Sequence, residues 1–224
     1  MTFQIARLLK DDKIIESSFY VAYSLLFTTG TITLIESWTT NEPKIRHIMN
    51  IETCISIIAA YFYGNFITMI KSKEVNYKDL TIIRYTDWFI STPLMILALL
   101  LVLSYNLNIS LKFTYFLIPV ILDLGMLIFG YLGEIGKINK NYACLGGFIL
   151  FTLMFYFIYY YFIRNKKSVQ NIVVYLVFLI VWSIYGIAYL ANEKIKNITY
   201  NILDVIAKCF VGIGLWAYLT KIFA

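Results

Sequence analysis

Asp204 and Lys208 stand four residues apart in the last apolar stretch of the 224-residue chain, Asn197–Ile222 (NITYNILDVIAKCFVGIGLWAYLTKI). That spacing sets both side chains on one face of a helix, one turn apart. The stretch is long enough to cross a bilayer, which takes about 20 apolar residues. A lone charge at mid-membrane costs about 2.5–3.5 kcal/mol or more, so an acid and a base placed there mark a site. The lysine is either a structural ion-pair partner or a reactive amine, since desolvation suits a lysine to imine chemistry with an aldehyde. This helix alone leaves both readings open. Arg84 and Asp87, three apart in the third apolar stretch, repeat the pattern. Two bases and two acids from two helices can neutralise one another in a closed cluster. Such a cluster suits a proton or ion path, or simply ties two helices together.

The composition says what must position these groups. Sixty per cent of the residues are hydrophobic and 14% are charged, whereas a soluble domain carries about 25% charged residues. The chain reads as an integral membrane protein of one domain, residues 1–224, with all-α architecture. Seven spans follow: Ile15–Ser37, Ile45–Ile70, Asp79–Ser104, Leu111–Gly133, Ala143–Ile163, Val169–Ala191 and Asn197–Ile222. The polar links between them are short, which predicts an antiparallel bundle. Continuous apolar runs exclude a β-barrel, which needs alternating segments. The formal charge of +6 resides in loops and gives no nucleic-acid footprint. Cys54, Cys144 and Cys209 show neither metal-ligand spacing nor a disulfide framework and are expected to pack as small hydrophobes. No cleavable leader is visible, so the first helix serves as the targeting signal. Further ionisable residues inside the spans are Glu52 in the second and Asp123 in the fourth.

The segment RYTDWFISTPLM (Arg84 to Met95), together with LDVIAK (Leu203 to Lys208), resembles the microbial (type 1) rhodopsins, closest to their viral and channelrhodopsin-like members. WSIYGIAY (Trp182 to Tyr189) and DLGMLIFG (Asp123 to Gly130) look like the helix-six and helix-four walls of that family's retinal pocket, so the likeness extends over all seven spans. It implies all-trans retinal bound to Lys208 as a protonated Schiff base, with Asp87 and Asp204 as counterions and Arg84 offsetting the surplus negative charge. The walls implied are Trp88, Thr92, Met95, Met126, Gly130, Gly147, Met154, Trp182, Tyr185 and Tyr189. Trp88 and Trp182 are the plates above and below the polyene; for the methionines, ordinary core packing is the competing reading. Tyr63 is expected to hydrogen-bond Asp204, with Tyr61 as its competitor. Thr92 and Asp123 resemble a pair linking helices three and four. A buried carboxyl there is expected to keep its proton and donate to the hydroxyl, either for gating or for bundle adhesion.

Departures from the family pattern bear on what the light would drive. In outward proton pumps of the family, a threonine and then a carboxylic donor follow the helix-three acceptor; here these positions are Ser91 and Ala98, so the usual donor is missing. Glu193 approximates one member of the family's release pair, and Lys196 stands where the other would be. In their place is Glu52, with Ser56, Ala59 and Tyr63 on the same helical face. Asn50, Asn65, Asn197 and Asn201 add neutral polar groups. This lining reads first as the pathway of a light-gated cation channel, with Glu52 excluding anions, although Glu52 could instead snorkel to the interface. The runner-up is an outward proton pump using Glu52 as substitute donor, and a third reading is a sensor acting through a separate partner. An enzyme is not indicated, and no metal cluster is seen. The partners implied are the bilayer, retinal, cations or protons, and further copies in a homo-oligomer. The N-terminus is placed outside, against a weak charge bias. With that orientation the inner side holds Lys44, Arg46, Lys112, Arg164, Lys166, Lys167 and Lys221, while Arg7, Lys10, Lys13, Lys71, Lys73, Lys78, Lys137, Lys140, Lys194 and Lys196 lie outside.

Overall fold

The structure is a computed structural model that describes residues 2–71, 76–166 and 168–222, with side chains described from Lys13 onward. Lys73 and Lys167, and the side chains of Arg7 and Lys10, lie outside the described residues. Seven helices run through the described chain: α1 (Thr2–Thr39), α2 (Pro43–Lys71), α3 (Tyr77–Asn106), α4 (Phe113–Glu134), α5 (Lys140–Ile163), α6 (Val169–Ala188) and α7 (Glu193–Thr220). Each is long and apolar enough to cross a membrane, α1 over Lys13–Thr39. Short links make successive helices antiparallel neighbours. The bundle therefore has two ends. The start of α1 and the α2–α3, α4–α5 and α6–α7 links share one, here the near end; the other three links share the far end.

The ends of the helices follow from local chemistry. Asn76, Asn139, Ser168 and Asn192 each accept a backbone N–H at the start of α3, α5, α6 and α7, as helix-capping side chains do. Asn192 explains why α7 begins at Glu193, a turn ahead of the expected Asn197: its Oδ1 takes the Ile195 amide at 3.0 Å. The last turn of α5 (Tyr159–Ile163) and the middle of α7 (Val205–Phe210) are wound as π-helix, which a count at 3.6 residues per turn does not foresee.

α3 is the central element, with 61% of its most apolar window buried against 28–44% for the other six. It meets the aromatic core of Trp88, Phe155, Trp182 and Tyr200 on one side. A second core, Phe19, Leu26, Tyr63 and Phe66, joins α1 to α2. A third, of Ile45, Ile48, Met49, Val102, Leu215 and Leu219, closes the far end. Asn50 and Asn65, expected to line an internal path, face outward instead. Cys54 is exposed too, Cys144 half-buried and Cys209 buried, and all three are free thiols.

At the near end α4 is tied to α7 by charge. Glu134, assigned from the sequence to the link after the fourth span, lies in the last turn of α4 and is buried. Lys196, also buried, reaches it at 2.8 Å and Glu193 at 2.7 Å. Thr81 Oγ1 of α3 donates to the other Glu193 oxygen at 2.9 Å. Lys140 approaches Glu134 at 3.6 Å but is one-third exposed. Removing one partner of a buried pair costs about 3–5 kcal/mol, because the remaining charge is left desolvated. Lys196→Met is therefore expected to lower the thermal denaturation midpoint in detergent clearly, and Lys140→Met far less. Equal midpoints for the two variants would show that the buried tie carries no stability.

Candidate functional site

Lys208 sits on the π-helical turn of α7 and is 1% exposed. Its Nζ lies 2.7 Å from Asp87 Oδ2 of α3 and 3.6 Å from Asp204 Oδ1 of its own helix. Asp204 in turn accepts from three donors: Arg84 Nη1 at 3.0 Å, the Tyr63 hydroxyl at 2.7 Å and the Tyr185 hydroxyl at 2.7 Å. Arg84 is fully buried and donates further to the Tyr63 oxygen at 2.9 Å and to Asn201 Oδ1 at 2.8 Å. Its guanidinium is ringed by Phe19, Tyr63, Phe66 and Tyr200, with ring centres 5.1–5.8 Å away. Two acids and two bases thus cancel in a cluster closed off by aromatic rings, which is how ionised groups persist in an apolar interior. Tyr61, the competitor of Tyr63, points outward and is 67% exposed.

Above this cluster an apolar cavity opens between α3, α4, α5, α6 and α7 and ends at Lys208 and Asp204. Trp88, Thr92, Met95, Met126, Gly130, Gly147, Trp182, Tyr185 and Tyr189 line it. Met154 does not. It is fully buried in the aromatic core, and Phe151, one turn earlier on α5, borders the cavity instead. Tyr85, Phe148 and Tyr200 complete the aromatic wall without having been singled out by the sequence. Gly130 is required where it stands, because a Cβ there would lie 2.5 Å from the Tyr85 hydroxyl. The Tyr189 hydroxyl donates to the Gly130 carbonyl at 3.1 Å. Thr92 and Asp123 meet at 2.5 Å, joining α3 to α4 beside the cavity.

The residues expected along an ion path divide into two groups. Asn197 and Asn201 are committed to Arg84: Asn197 Oδ1 lies 3.4 Å from Nη2, while its amide donates to Thr81 Oγ1 at 3.1 Å and the Glu193 carbonyl at 2.9 Å. With Thr81 and Glu193 they form a side-chain chain from Arg84 to the near end. Glu52, Ser56 and Ser91 lie on the other side of Lys208, all buried. The Ser56 and Ser91 hydroxyls and Asp87 Oδ1 have no hydrogen-bond partner among the described residues. Glu52 packs against α7 at Gly212, where a Cβ would come within 3.1 Å of its Oε2; the glycine leaves room for the carboxyl.

A long aromatic cavity ending at an amine faced by carboxylates is fitted to a flat polyene aldehyde that becomes cationic on binding. Residues 13–222 match the family described as bacteriorhodopsin-like protein. The chain belongs to that family. It is similar to the green-light absorbing proteorhodopsin of Gamma-proteobacterium EBAC31A08, 28% identical over 157 residues that make up 63% of this chain and 62% of that protein. The chain thus spans less than two thirds of that relative. It is also similar to archaerhodopsin-2 of Halobacterium sp. (strain aus-2), 26% identical over 85% of this chain and 79% of that one. Among solved structures, viral rhodopsin OLPVRII superimposes with a TM-score of 0.88 at 42% identity, over 94% of this chain and 99% of that one. Blue light-absorbing proteorhodopsin from Med12, at 24% identity and a TM-score of 0.73 over 92% and 96%, shares the fold. This microbial rhodopsin is therefore a seven-span integral membrane protein of a retinal-binding family, and not an enzyme.

The geometry makes Asp87 the anion nearest the Lys208 nitrogen. With retinal supplied, Asp87→Asn is expected to move the visible band to longer wavelength, since removing that anion lets positive charge spread along the polyene. Ser91→Ala, whose hydroxyl is unpartnered, should leave the band in place. An Asp87→Asn pigment of wild-type colour would remove Asp87 as principal counter-charge.

Proposed function

We propose that this rhodopsin is a light-driven outward proton transporter in which Glu52 replaces the donor missing at Ala98. The observation that carries this reading is the setting of Glu52: 2% exposed, with no basic side chain paired to it among the described residues. A channel that uses a glutamate to exclude anions needs that group charged and hydrated. A carboxyl desolvated without a counter-charge instead holds its proton, which suits a donor. The preference thus passes from the cation channel suggested by sequence to its runner-up.

Bound to Lys208 as a protonated imine, all-trans retinal would supply a light-driven change in the proton affinity and direction of the Lys208 nitrogen. Asp87 Oδ2, at 2.7 Å, is placed to take the proton from that nitrogen. Arg84, Tyr63 and Tyr185 keep Asp204 ionised and fixed, so Asp87 is left as the acceptor. Asn197, Thr81 and Glu193 offer the onward chain to the near end, outside the membrane if the N-terminus is outside. Glu52 lies toward the far end, and the unpartnered Ser56 and Ser91 hydroxyls can hold water between it and Lys208. The 1–224 chain acts as one domain, and copies associate in the bilayer as a homo-oligomer.

The cation channel stands as a second reading because the same unpartnered hydroxyls, with Ala59 beside them, would also hydrate a passing cation. Voltage clamp separates the two. The pump predicts photocurrents that stay outward at every voltage, whereas currents reversing near the cation equilibrium potential would establish the channel; no current would point to a sensor. Glu52→Gln should slow the return of the proton to the chromophore about a hundredfold with little change of colour. Wild-type return kinetics in that variant would remove Glu52 from the path.

A further inference from the structure

Tyr85 of α3 is 4% exposed, and its hydroxyl makes no hydrogen bond with any described residue. Its ring is held by edge contacts with Trp88 and Tyr131, at 5.1 and 5.8 Å between centres. The hydroxyl ends in the notch left by Gly130, where a Cβ would lie 2.5 Å from it. Both residues border the cavity. A phenylalanine would fill the same space without leaving a buried donor unused, a cost that native interiors avoid. Neither the charged cluster around Lys208 nor the chain to Glu193 draws on this hydroxyl.

A second hydroxyl reaches the same notch from α6. Tyr189 donates to the Gly130 carbonyl at 3.1 Å, which leaves its oxygen lone pairs free to accept. Its ring is fixed by the Lys140 ammonium, 5.0 Å from the ring centre. The two hydroxyls thus flank Gly130, one offering a donor and the other an acceptor. Small residues make the wall around them: Ala143, Cys144 and Gly147 of α5 and Gly186 of α6. Cys144 Sγ, 3.7 Å from the Gly186 carbonyl, adds a third polar atom. This end of the cavity lies across from Lys208, where a polyene aldehyde fixed to that lysine carries its ring. The plain hydrocarbon ring of retinal can pair with none of these polar groups.

We propose that the Gly130 notch is a subsite for an oxygenated ring, and that the preferred chromophore is a retinal bearing a ring hydroxyl. One such hydroxyl can accept from Tyr85 and donate to Tyr189, satisfying both. Selection of this kind is effective because the analogue lacking the hydroxyl leaves the buried Tyr85 donor unpaired. The inference rests on the aldehyde binding at Lys208 and is the same for a pump, a channel or a sensor. To test it, the protein is expressed in cells that make no retinal and are supplied with equal amounts of all-trans retinal, 3-hydroxyretinal and 4-hydroxyretinal. The chromophore of the purified pigment is then released with hydroxylamine and quantified by chromatography. One hydroxylated aldehyde should exceed retinal about tenfold, the scale of two net hydrogen bonds. Tyr85→Phe should bring the shares close to equal. Tyr189→Phe, which removes the acceptor, should lower the excess less far, and it carries the test should Tyr85→Phe yield no pigment. Retinal taken up as readily as either hydroxylated form would overturn the subsite, as would an excess unchanged in both variants. A protein left colourless by all three aldehydes would overturn the Lys208 site beneath it as well.

Discussion

Four ionised groups in the middle of a membrane bundle cannot exist singly, and this requirement shapes the rest of the molecule. Lys208 and Arg84 need Asp87 and Asp204, and the acids need them equally. Each partner comes from α3 or α7, so those two helices are locked in register by charge rather than by apolar packing, which in lipid offers little directional preference. Tyr63 from α2, Tyr185 from α6 and Asn201 from α7 add hydrogen bonds to Asp204 and Arg84, while Asp87 Oδ1 is left without a partner among the described residues. Aromatic rings of Phe19, Tyr63, Phe66 and Tyr200 surround the Arg84 guanidinium on the side away from the cavity. Asymmetry follows: Lys208 faces the cavity with one close carboxylate, whereas Asp204 is saturated by donors and held in place.

That asymmetry organises the two ends differently. Toward the near end, a continuous run of polar side chains leaves Arg84 through Asn197 and Thr81 to Glu193, whose side chain is one-third exposed. Toward the far end no such run leaves Lys208 among the described residues: the buried Ser56 and Ser91 hydroxyls have no partner, and an apolar plug of α2, α3 and α7 residues closes that end beyond Glu52. Under the proposed transport reading, a proton leaving Lys208 would meet a run of polar side chains on one side only.

Much of this was legible in the chain because ionisable residues in apolar runs are rare enough to be read one by one. Arg84, Asp87, Asp204 and Lys208 stand out at helical spacing, and the structure brings them within ion-pair distance. Tyr63 follows by helical counting from Glu52. Three features escaped for definite reasons. Glu134 closes an apolar run and so looks like the start of a polar link; only Lys196, equally buried on another helix, reveals that it turns inward. Met154 shares the helical face of Gly147, but the cavity ends at Phe151, and cavity length is a property of packing between helices rather than of spacing within one. Asn171 lies just after a serine cap, where a polar residue is unremarkable, and its partners are the Leu103 and Phe162 carbonyls of two distant helices. The π turns at Lys208 and Tyr159 carry no residue signature that a period of 3.6 can detect.

The central claim is that the amine of α7, compensated by Asp87 and Asp204, carries the chromophore. Reduction of the retinal-loaded protein with borohydride under illumination, followed by proteolysis and mass spectrometry, tests it directly. A single retinyl group fixed to the peptide containing Lys208 is the predicted result. An unlabelled chain, or a label on any other lysine, would contradict it.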